Sequence, residues 1–548
     1  MPAATHRATC TPEVTPKVGG GLGGRPPERA PSWARRARAG PRHKPGPTKP
    51  TDLLAVLRTV GHHVYGFLKF RDTARAALAI LSPEIKVRLA RMSSHIFREY
   101  DIRGVAERDI TSDVAERIGR GIAELLGRAA GRAPRIAVGL DCRLSGPRIF
   151  GALTQGLQRG GAQVLDIGVG PTPKLYFGVH HLETDGGVMV TGSHNPAPDN
   201  GFKIMIGRGS FFGTAIQELR ALVEGPALPD QPGGCLSEAP IDDAYVAKLT
   251  GSVKLGRKPK LVVDAGNGAA GPLGIRTLST LGLSPTALFC DMDGRFPNHH
   301  PDPTVPENLS TLIEHVRAEK ADLGIAWDGD GDRLGVVDEK GDIIWGDRLL
   351  ALFAGPIIAA QPGATIIGDV KCSQTLFDHV EKLGGRPIMW KTGHSLIKTK
   401  MKEENAAVAG EMSGHFFFAD RYYGYDDAIY AGLRLLELLT AQDRPLSELL
   451  HALPSRHFTP ELRKDCADDK KFQVIEGLRQ ALRDRGSINQ LDGVRVTYDD
   501  GAWALVRASN TGPVLVLRFE APSAERLSAI RGDVERVVDE VKRSVGAA

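Results

Sequence analysis

The stretch Leu323-Gly-Ile-Ala-Trp327-Asp328-Gly-Asp330-Gly-Asp332-Arg333-Leu334-Gly-Val-Val337 joins two apolar runs through an acidic turn. Short apolar runs bounded by Gly and Asp read as strands. Three carboxylates at alternate positions, with glycines between them, can fold their oxygens around one hard cation. A solvated acidic turn is the plainer alternative. A calcium EF-hand loop is another, because Glu339 stands twelfth from Asp328. Arg333, however, takes the sixth place, where that loop needs Gly, and the flanks read as strands rather than helices. The turn is therefore a candidate metal loop at the end of a strand.

The same alternation extends outward. Ile136–Leu140, Gly187–Thr191 and Lys260–Asp264 are further apolar runs ending in Gly- or Asp-rich turns. Residues 427–439 and 523–545 read as helices, the latter with Leu527, Ile530, Val534, Val537 and Val541 on one face after Pro522-Ser523. Strand–helix alternation implies several layered α/β units with ligand loops at the carboxyl ends of strands. The expected divisions are a basic, disordered extension over 1–91, α/β domains over 92–240, 241–342 and 343–455, and a smaller α+β domain over 456–548. A chain of 548 residues is long enough for that many cores.

Charge supports the first division. Residues 1–91 hold 17 Lys+Arg and 5 Asp+Glu of the chain's 70 and 65, so the remainder is mildly acidic. A basic head on an acidic body does not describe a nucleic-acid-binding enzyme. Residues 1–50, rich in Pro, Gly and Arg, bury too little apolar area to offset their ordering entropy. Residues 51–91 carry apolar clusters suited to one or two helices. The leader lacks the amphipathic pattern of a transit peptide, and Met92 directly precedes the α/β pattern, so 1–91 reads as an upstream extension. Six scattered cysteines without a C-x-x-C pair argue against a zinc site or a disulfide scaffold. The longest apolar run, Leu349 to Ala360, is too short for a membrane span.

Three further loops carry chemistry. Thr191-Gly-Ser193-His-Asn-Pro196 puts a serine on a strand-to-loop turn, where backbone N–H groups can support a phosphate; alone, it also fits a helix cap. Lys203 follows in Asn200-Gly-Phe-Lys203. Gly410-Glu411-Met412-Ser413-Gly-His415 offers an anionic acceptor, a hydroxyl and an imidazole, a set suited to gripping sugar hydroxyls or to a structural loop. Arg507-Ala-Ser509-Asn510-Thr511-Gly512 makes a plausible phosphate cradle or a polar turn. Gly266-Asn-Gly-Ala-Ala-Gly271 matches the dinucleotide fingerprint, yet no acidic residue follows a clear second strand at the required distance. His299-His300 reads as a surface loop, and Lys391 to Lys398 as a turn into a helix.

Taken in order, these loops resemble the α-D-phosphohexomutase superfamily, in its phosphomannomutase/phosphoglucomutase branch. The resemblance also takes in Phe97-Arg-Glu-Tyr-Asp-Ile-Arg-Gly104, Asp141-Cys-Arg-Leu-Ser-Gly-Pro147 and Pro297-Asn-His-His-Pro-Asp302, and runs from about Ile96 to the C-terminus. It implies three related α/β domains and a smaller C-terminal domain around one cleft. Ser193 would be the phosphoserine, and Asp328, Asp330 and Asp332, with a Ser193 phosphate oxygen, would hold Mg²⁺. Glu411 and Ser413 would grip the sugar; Arg507, Ser509, Asn510 and Thr511 would hold its non-reacting phosphate. Tyr100, Arg103, Lys203, Arg333, Arg348, Lys391, His394 and His415 match family positions in the cleft. Arg333 and Lys203 would stabilise transferring charge, and His415, Lys203 and Arg103 are the candidates for general acid/base.

The implied reaction interconverts hexose 6- and 1-phosphates of mannose and glucose, with glucose 1,6-bisphosphate as activator and intermediate. The resemblance implies a role in GDP-mannose supply. The expected partners are sugar phosphates, not nucleic acid or membrane, for a cytoplasmic monomer. A phosphoglucosamine mutase is the nearest rival, but those enzymes usually carry Gln where Met412 stands. An inactive metal- or sugar-phosphate-binding protein is the alternative of a different class. Two departures stand out: Cys142 where relatives carry a small residue, and Gly512 where Thr is expected, which removes one hydroxyl from the phosphate loop.

Overall fold

The computed structural model describes residues 94–548 apart from 452, 511 and 548. The expectations for the basic extension, and for Thr511, lie outside the described residues. Strands Ile102–Val105 (β1), Arg135–Leu140 (β2), Gln163–Val169 (β3), Gly186–Val190 (β4), Asp199–Ile206 (β5), Gly209–Ser210 (β6) and Cys235–Glu238 (β7) form the first sheet. Its order is β1-β5-β4-β2-β3-β7, with β6 on β5. Leu261–Asp264 (β8), Thr286–Leu288 (β9), Leu323–Trp327 (β10), Leu334–Asp338 (β11) and Ile343–Ile344 (β12) form the second, in the order β12-β11-β10-β8-β9. Thr365–Asp369 (β13), Arg386–Trp390 (β14), Val408–Gly410 (β15) and Phe416–Phe418 (β16) form the third, in the order β14-β13-β15-β16.

One unit recurs in all three. β3-β2-β4-β5, β9-β8-β10-β11 and β14-β13-β15-β16 each set three parallel strands beside an antiparallel fourth. The central strands β2, β4, β8, β10, β13 and β15 are buried almost throughout, which is why their sequences read as unbroken apolar runs rather than alternating ones. The turn from the third strand to the antiparallel fourth holds Ser193 in the first sheet, Asp328–Arg333 in the second and Glu411–His415 in the third. Three of the four chemical loops thus occupy one topological position.

The fourth sheet differs. His457–Phe458 (β17), Leu462–Asp465 (β18), Ser487–Asn489 (β19), Val494–Thr497 (β20), Trp503–Ala508 (β21) and Val514–Ala521 (β22) run as β17-β22-β21-β20-β19, with β18 also on β22, and every pairing is antiparallel. Helices Lys471–Leu482 and Ala524–Ser544 cover this sheet, the second capped by Ser523 Oγ, which accepts from Arg526 N. One large apolar cluster runs from Ala137 through Leu453 and ties the first three sheets together. The last sheet has its own core, from Cys466 to Ala547. It meets the third sheet through a small cluster of Val370, Trp503 and Leu505, and through two buried arginines. Arg495 Nη1 donates to Val370 O (2.7 Å) and Cys372 O (2.9 Å). Arg518 donates to Lys371 O and to Asp347 Oδ2. Cys142, Cys290, Cys372 and Cys466 are free thiols.

Candidate active site

β4 delivers Ser193 into a buried turn, with the residue 1% exposed and its φ at +48°. A side-chain-bearing residue adopts that left-handed conformation only when its surroundings hold it there. Ser193 N donates to Thr191 Oγ1 over 2.8 Å. Its hydroxyl donates to Asp328 Oδ2 over 3.0 Å and lies 3.1 Å from His194 Nδ1. Burial, then Arg333 and Arg103, push the His194 pKa well down, which disfavours the protonated imidazole.

The acidic turn closes on its own first carboxylate: Asp328 Oδ1 accepts from the N–H groups of Asp332 (3.0 Å) and Arg333 (3.1 Å). Asp328, Asp330 and Asp332 are fully buried, with a carboxylate oxygen of each within 4.8 Å of the others. Asp330 Oδ2 accepts from Thr172 Oγ1 (2.5 Å) and from Lys203 Nζ (2.7 Å), whereas Asp330 Oδ1 is buried without a hydrogen-bond partner. Converging hard oxygens, one of them unsatisfied, fit a hard divalent cation. The Lys203 ammonium, delivered by β5, also pairs with Asp332. Burial disfavours its charge, but Asp330 and Asp332 outweigh burial and raise its pKa. Burial and the other two carboxylates push Asp328 well up.

The third loop reaches the second through an isolated bridge between Arg333 and His415. His415 lies between two acids, with Nδ1 2.9 Å from Glu411 Oε2 and Nε2 3.2 Å from Asp332 Oδ1. Burial opposes its protonation, but Asp332 and Glu411 prevail and raise its pKa to about 9. Glu411 is held down at about 2 against burial, chiefly by its bond to His415. Its other oxygen accepts from Gly393 N (2.6 Å), tying the Glu411 loop to the Lys391–Lys398 segment. Ser413 Oγ is 3.3 Å from His415 Nδ1.

The fourth loop closes the set. Arg507 is 4% exposed, and its Nε donates to Asp492 Oδ2 over 2.9 Å. Asn510 Nδ2 donates to the Tyr100 hydroxyl (2.5 Å), which in turn donates to Thr392 O (3.0 Å). Tyr100 therefore links segments of the first, third and fourth sheets. Lys471 Nζ donates to Ser509 O over 2.6 Å and holds the loop from behind.

The structure brings Tyr100, Arg103, Ser193, Lys203, the three aspartates, Arg333, His394, Glu411, Ser413 and His415 into one continuous network. Arg103 Nη1 reaches Asn195 Oδ1 (2.9 Å), and the His394 ring stands 5.9 Å from that of His415. Lys391 is exposed. Arg348 stands apart: its Nη2 donates to Leu450 O (3.2 Å), and it lines a recess with Asp347, Arg518 and Glu520 at the foot of the fourth sheet. His299 is not a free surface residue, since its Nε2 lies 3.0 Å from both oxygens of Asp264. Two residues escaped sequence reasoning. His194 adjoins Ser193, a signal that was present. Asp426, fully buried, accepts from Lys398 Nζ (2.9 Å) beside His394, and only the fold brings it there.

Comparison with known proteins follows this geometry. The family descriptions "Phosphoglucomutase/phosphomannomutase, alpha/beta/alpha domain I", "domain II", "domain III" and "C-terminal domain" match residues 94–227, 243–341, 345–457 and 461–537. A phosphomannomutase/phosphoglucomutase of Pseudomonas aeruginosa is 49% identical over 442 residues, 80% of this chain and 94% of that one. A phosphoglucomutase of Neisseria gonorrhoeae is 46% identical over 82% of this chain and 98% of its own. The crystal structure of a phosphoglucomutase/phosphomannomutase family protein from Burkholderia thailandensis superposes with a TM-score of 0.76 at 45% identity, covering 83% of this chain and 98% of that one. The chain belongs to the phosphoglucomutase/phosphomannomutase family of the α-D-phosphohexomutase superfamily.

Proposed function

We propose that the chain interconverts hexose 6-phosphates and hexose 1-phosphates, of mannose and of glucose, with Ser193 as the phosphoryl carrier. The observation that carries this reading is the placement of the Ser193 hydroxyl 3.0 Å from Asp328, inside a buried nest of carboxylates and cations. A phosphoryl group on Ser193 passes to the free hydroxyl of a bound sugar monophosphate, giving a hexose 1,6-bisphosphate. That bisphosphate turns over in the cleft and returns its other phosphoryl group to Ser193. Such transfer needs alignment, charge neutralisation and exclusion of water more than covalent activation.

Each loop has one task in this reading. Asp328, Asp330 and Asp332, with a Ser193 phosphate oxygen, hold Mg²⁺, which when bound polarises the transferring group. Lys203 and Arg333 stabilise charge on that group. Glu411 and Ser413 hold sugar hydroxyls common to mannose and glucose, while Arg507, Ser509 and Asn510 hold the phosphate that does not react. His415 moves the proton of the attacking or leaving sugar hydroxyl. The units over 92–240, 241–342, 343–455 and 456–548 each contribute one loop, in a monomeric cytoplasmic enzyme. Among the described residues no helix is long and apolar enough to cross a membrane.

The test is a coupled mutase assay with Mg²⁺ and a trace of glucose 1,6-bisphosphate on the 1-phosphates of mannose, glucose and glucosamine. Turnover of the first two, abolished in Ser193→Ala, supports the reading. Turnover of glucosamine 1-phosphate alone moves the chain to the neighbouring branch, and no turnover leaves a binding protein.

A further inference from the structure

The Arg143 side chain is 0% exposed, and its guanidinium gathers four carbonyl oxygens from a single loop. Nη2 donates to Ser193 O (2.7 Å) and Asn195 O (2.6 Å). Nη1 donates to Pro196 O (2.6 Å) and Asp199 O (2.8 Å). The carboxylate of Asp141 backs this arrangement. Asp141 Oδ2 lies 3.3 Å from Arg143 Nε and accepts from Gly192 N (3.1 Å), while Oδ1 accepts from Arg143 N (2.9 Å). The Phe296 ring lies against the guanidinium, 5.1 Å from it.

Between β4 and β5 the chain leaves the ladder, so its buried carbonyls need partners from elsewhere. A planar fork with five donors can serve several carbonyls at once; a single ammonium on a flexible stem cannot hold the same spread. The fit is close enough to dictate a neighbour, because a Cβ at Gly192 would lie 2.5 Å from Arg143 Cζ. With its carbonyls drawn onto one centre, the loop keeps Ser193 at positive φ and its hydroxyl directed at Asp328. Arg143 makes no contact with the acidic turn, with the Glu411 loop or with the Arg507 loop in these hydrogen bonds.

We propose that Arg143, braced by Asp141, is a positioning residue for the nucleophile: it fixes the 193–199 loop so that the Ser193 hydroxyl is aligned for phosphoryl transfer. The proposal rests on Ser193 as the phosphoryl carrier and goes beyond it by naming what aims the carrier. Loss of the clamp should slow transfer to and from Ser193 while leaving sugar-phosphate capture by the other loops intact.

The experiment measures the rate of Ser193 phosphorylation by glucose 1,6-bisphosphate, read by intact mass, together with kcat and KM. It uses the full-length wild type, Arg143→Lys, Gly192→Ala and, as a control, Leu144→Ala at an adjacent position that is 70% exposed. Rates are taken per folded molecule, from the near-UV circular dichroism of the soluble fraction. Gly192→Ala keeps every buried charge and displaces the guanidinium by contact alone, so it decides the matter if Arg143→Lys does not fold. The expected result is a fall of thirtyfold or more in phosphorylation rate and kcat in both variants, with KM within threefold of wild type and Leu144→Ala unchanged. Phosphorylation at the wild-type rate in either folded variant overturns the proposal. So does a loss carried by KM, which would place Arg143 in substrate capture rather than in aligning Ser193. Failure of the wild type itself to become phosphorylated would instead sink the carrier reading.

Discussion

The Ser193 hydroxyl and the Asp328 carboxylate meet at 3.0 Å, although 135 residues separate them in the chain. A phosphate on Ser193 adds about −1.5 to −2 charges beside three buried carboxylates. Without a divalent cation that cluster repels itself. We expect a chelator to lower the melting temperature of the phosphorylated protein more than that of Ser193→Ala. Phosphorylation should also tighten Mg²⁺ binding in calorimetry. Equal effects of chelation on the two forms would contradict a shared site.

Lys203 is the ammonium paired with both Asp330 and Asp332. Removing one member of a buried ion cluster typically costs about 3–5 kcal/mol, because the partner charge is stranded. Lys203→Met should therefore melt markedly lower in chelator and recover part of the loss when Mg²⁺ is added. Its kcat should remain low even with the metal present. A Lys203→Met protein as stable as wild type in chelator would show that the pair carries no such weight.

His415 gives a pH signature in the metal-free protein. Its pKa is raised from 6.5 to about 9 by Asp332 and Glu411 in spite of burial. A raised histidine stabilises fully below its unfolded pKa, and the gain disappears as pH rises through the folded value. The contribution is about 3 kcal/mol at about 1.4 kcal/mol per pH unit. Thermal melts in chelator should thus show wild type losing stability between pH 6.5 and 9 more steeply than His415→Gln. Parallel pH profiles would refute the assignment.

Arg507 stands on the fourth sheet, its guanidinium tied to Asp492 at 2.9 Å, and is proposed to hold the phosphate that does not react. A charge-assisted contact to phosphate is worth about 1.5–3 kcal/mol, or roughly 10- to 150-fold in affinity. Arg507→Met should raise KM for glucose 1-phosphate by about that factor while kcat changes far less. A fall in kcat at constant KM would move Arg507 from holding the phosphate to aligning it.

Much of this site could be read from local sequence because each loop follows a buried strand. Leu323–Trp327 was legible as a strand to the residue, and the Asp328 turn, the Ser193 loop and the Glu411 loop stood out as polar interruptions of apolar runs. What spacing could not show is that these three turns share one topological position, since that equivalence lies in strand pairing. Long-range partners were hidden for the same reason: Asn510 meets Tyr100 across 410 residues, and Asp426 joins His394 only in the fold. Arg348 shows what resemblance leaves open. It matched a cleft position by resemblance, yet its guanidinium bonds to Leu450 O at the foot of the fourth sheet.

The attachment of that fourth sheet has a further consequence. Its core is self-contained, and the seam with the third sheet relies on Arg495 and Arg518 gripping Val370, Lys371 and Cys372 through their carbonyls, with few apolar side chains between. Water can take over these hydrogen bonds when the seam parts, whereas nothing replaces the contacts of an apolar seam. The C-terminal unit is therefore built as a latch rather than a wall. On the reading proposed above, such a latch is what a doubly phosphorylated sugar would need in order to turn end over end between its two transfers.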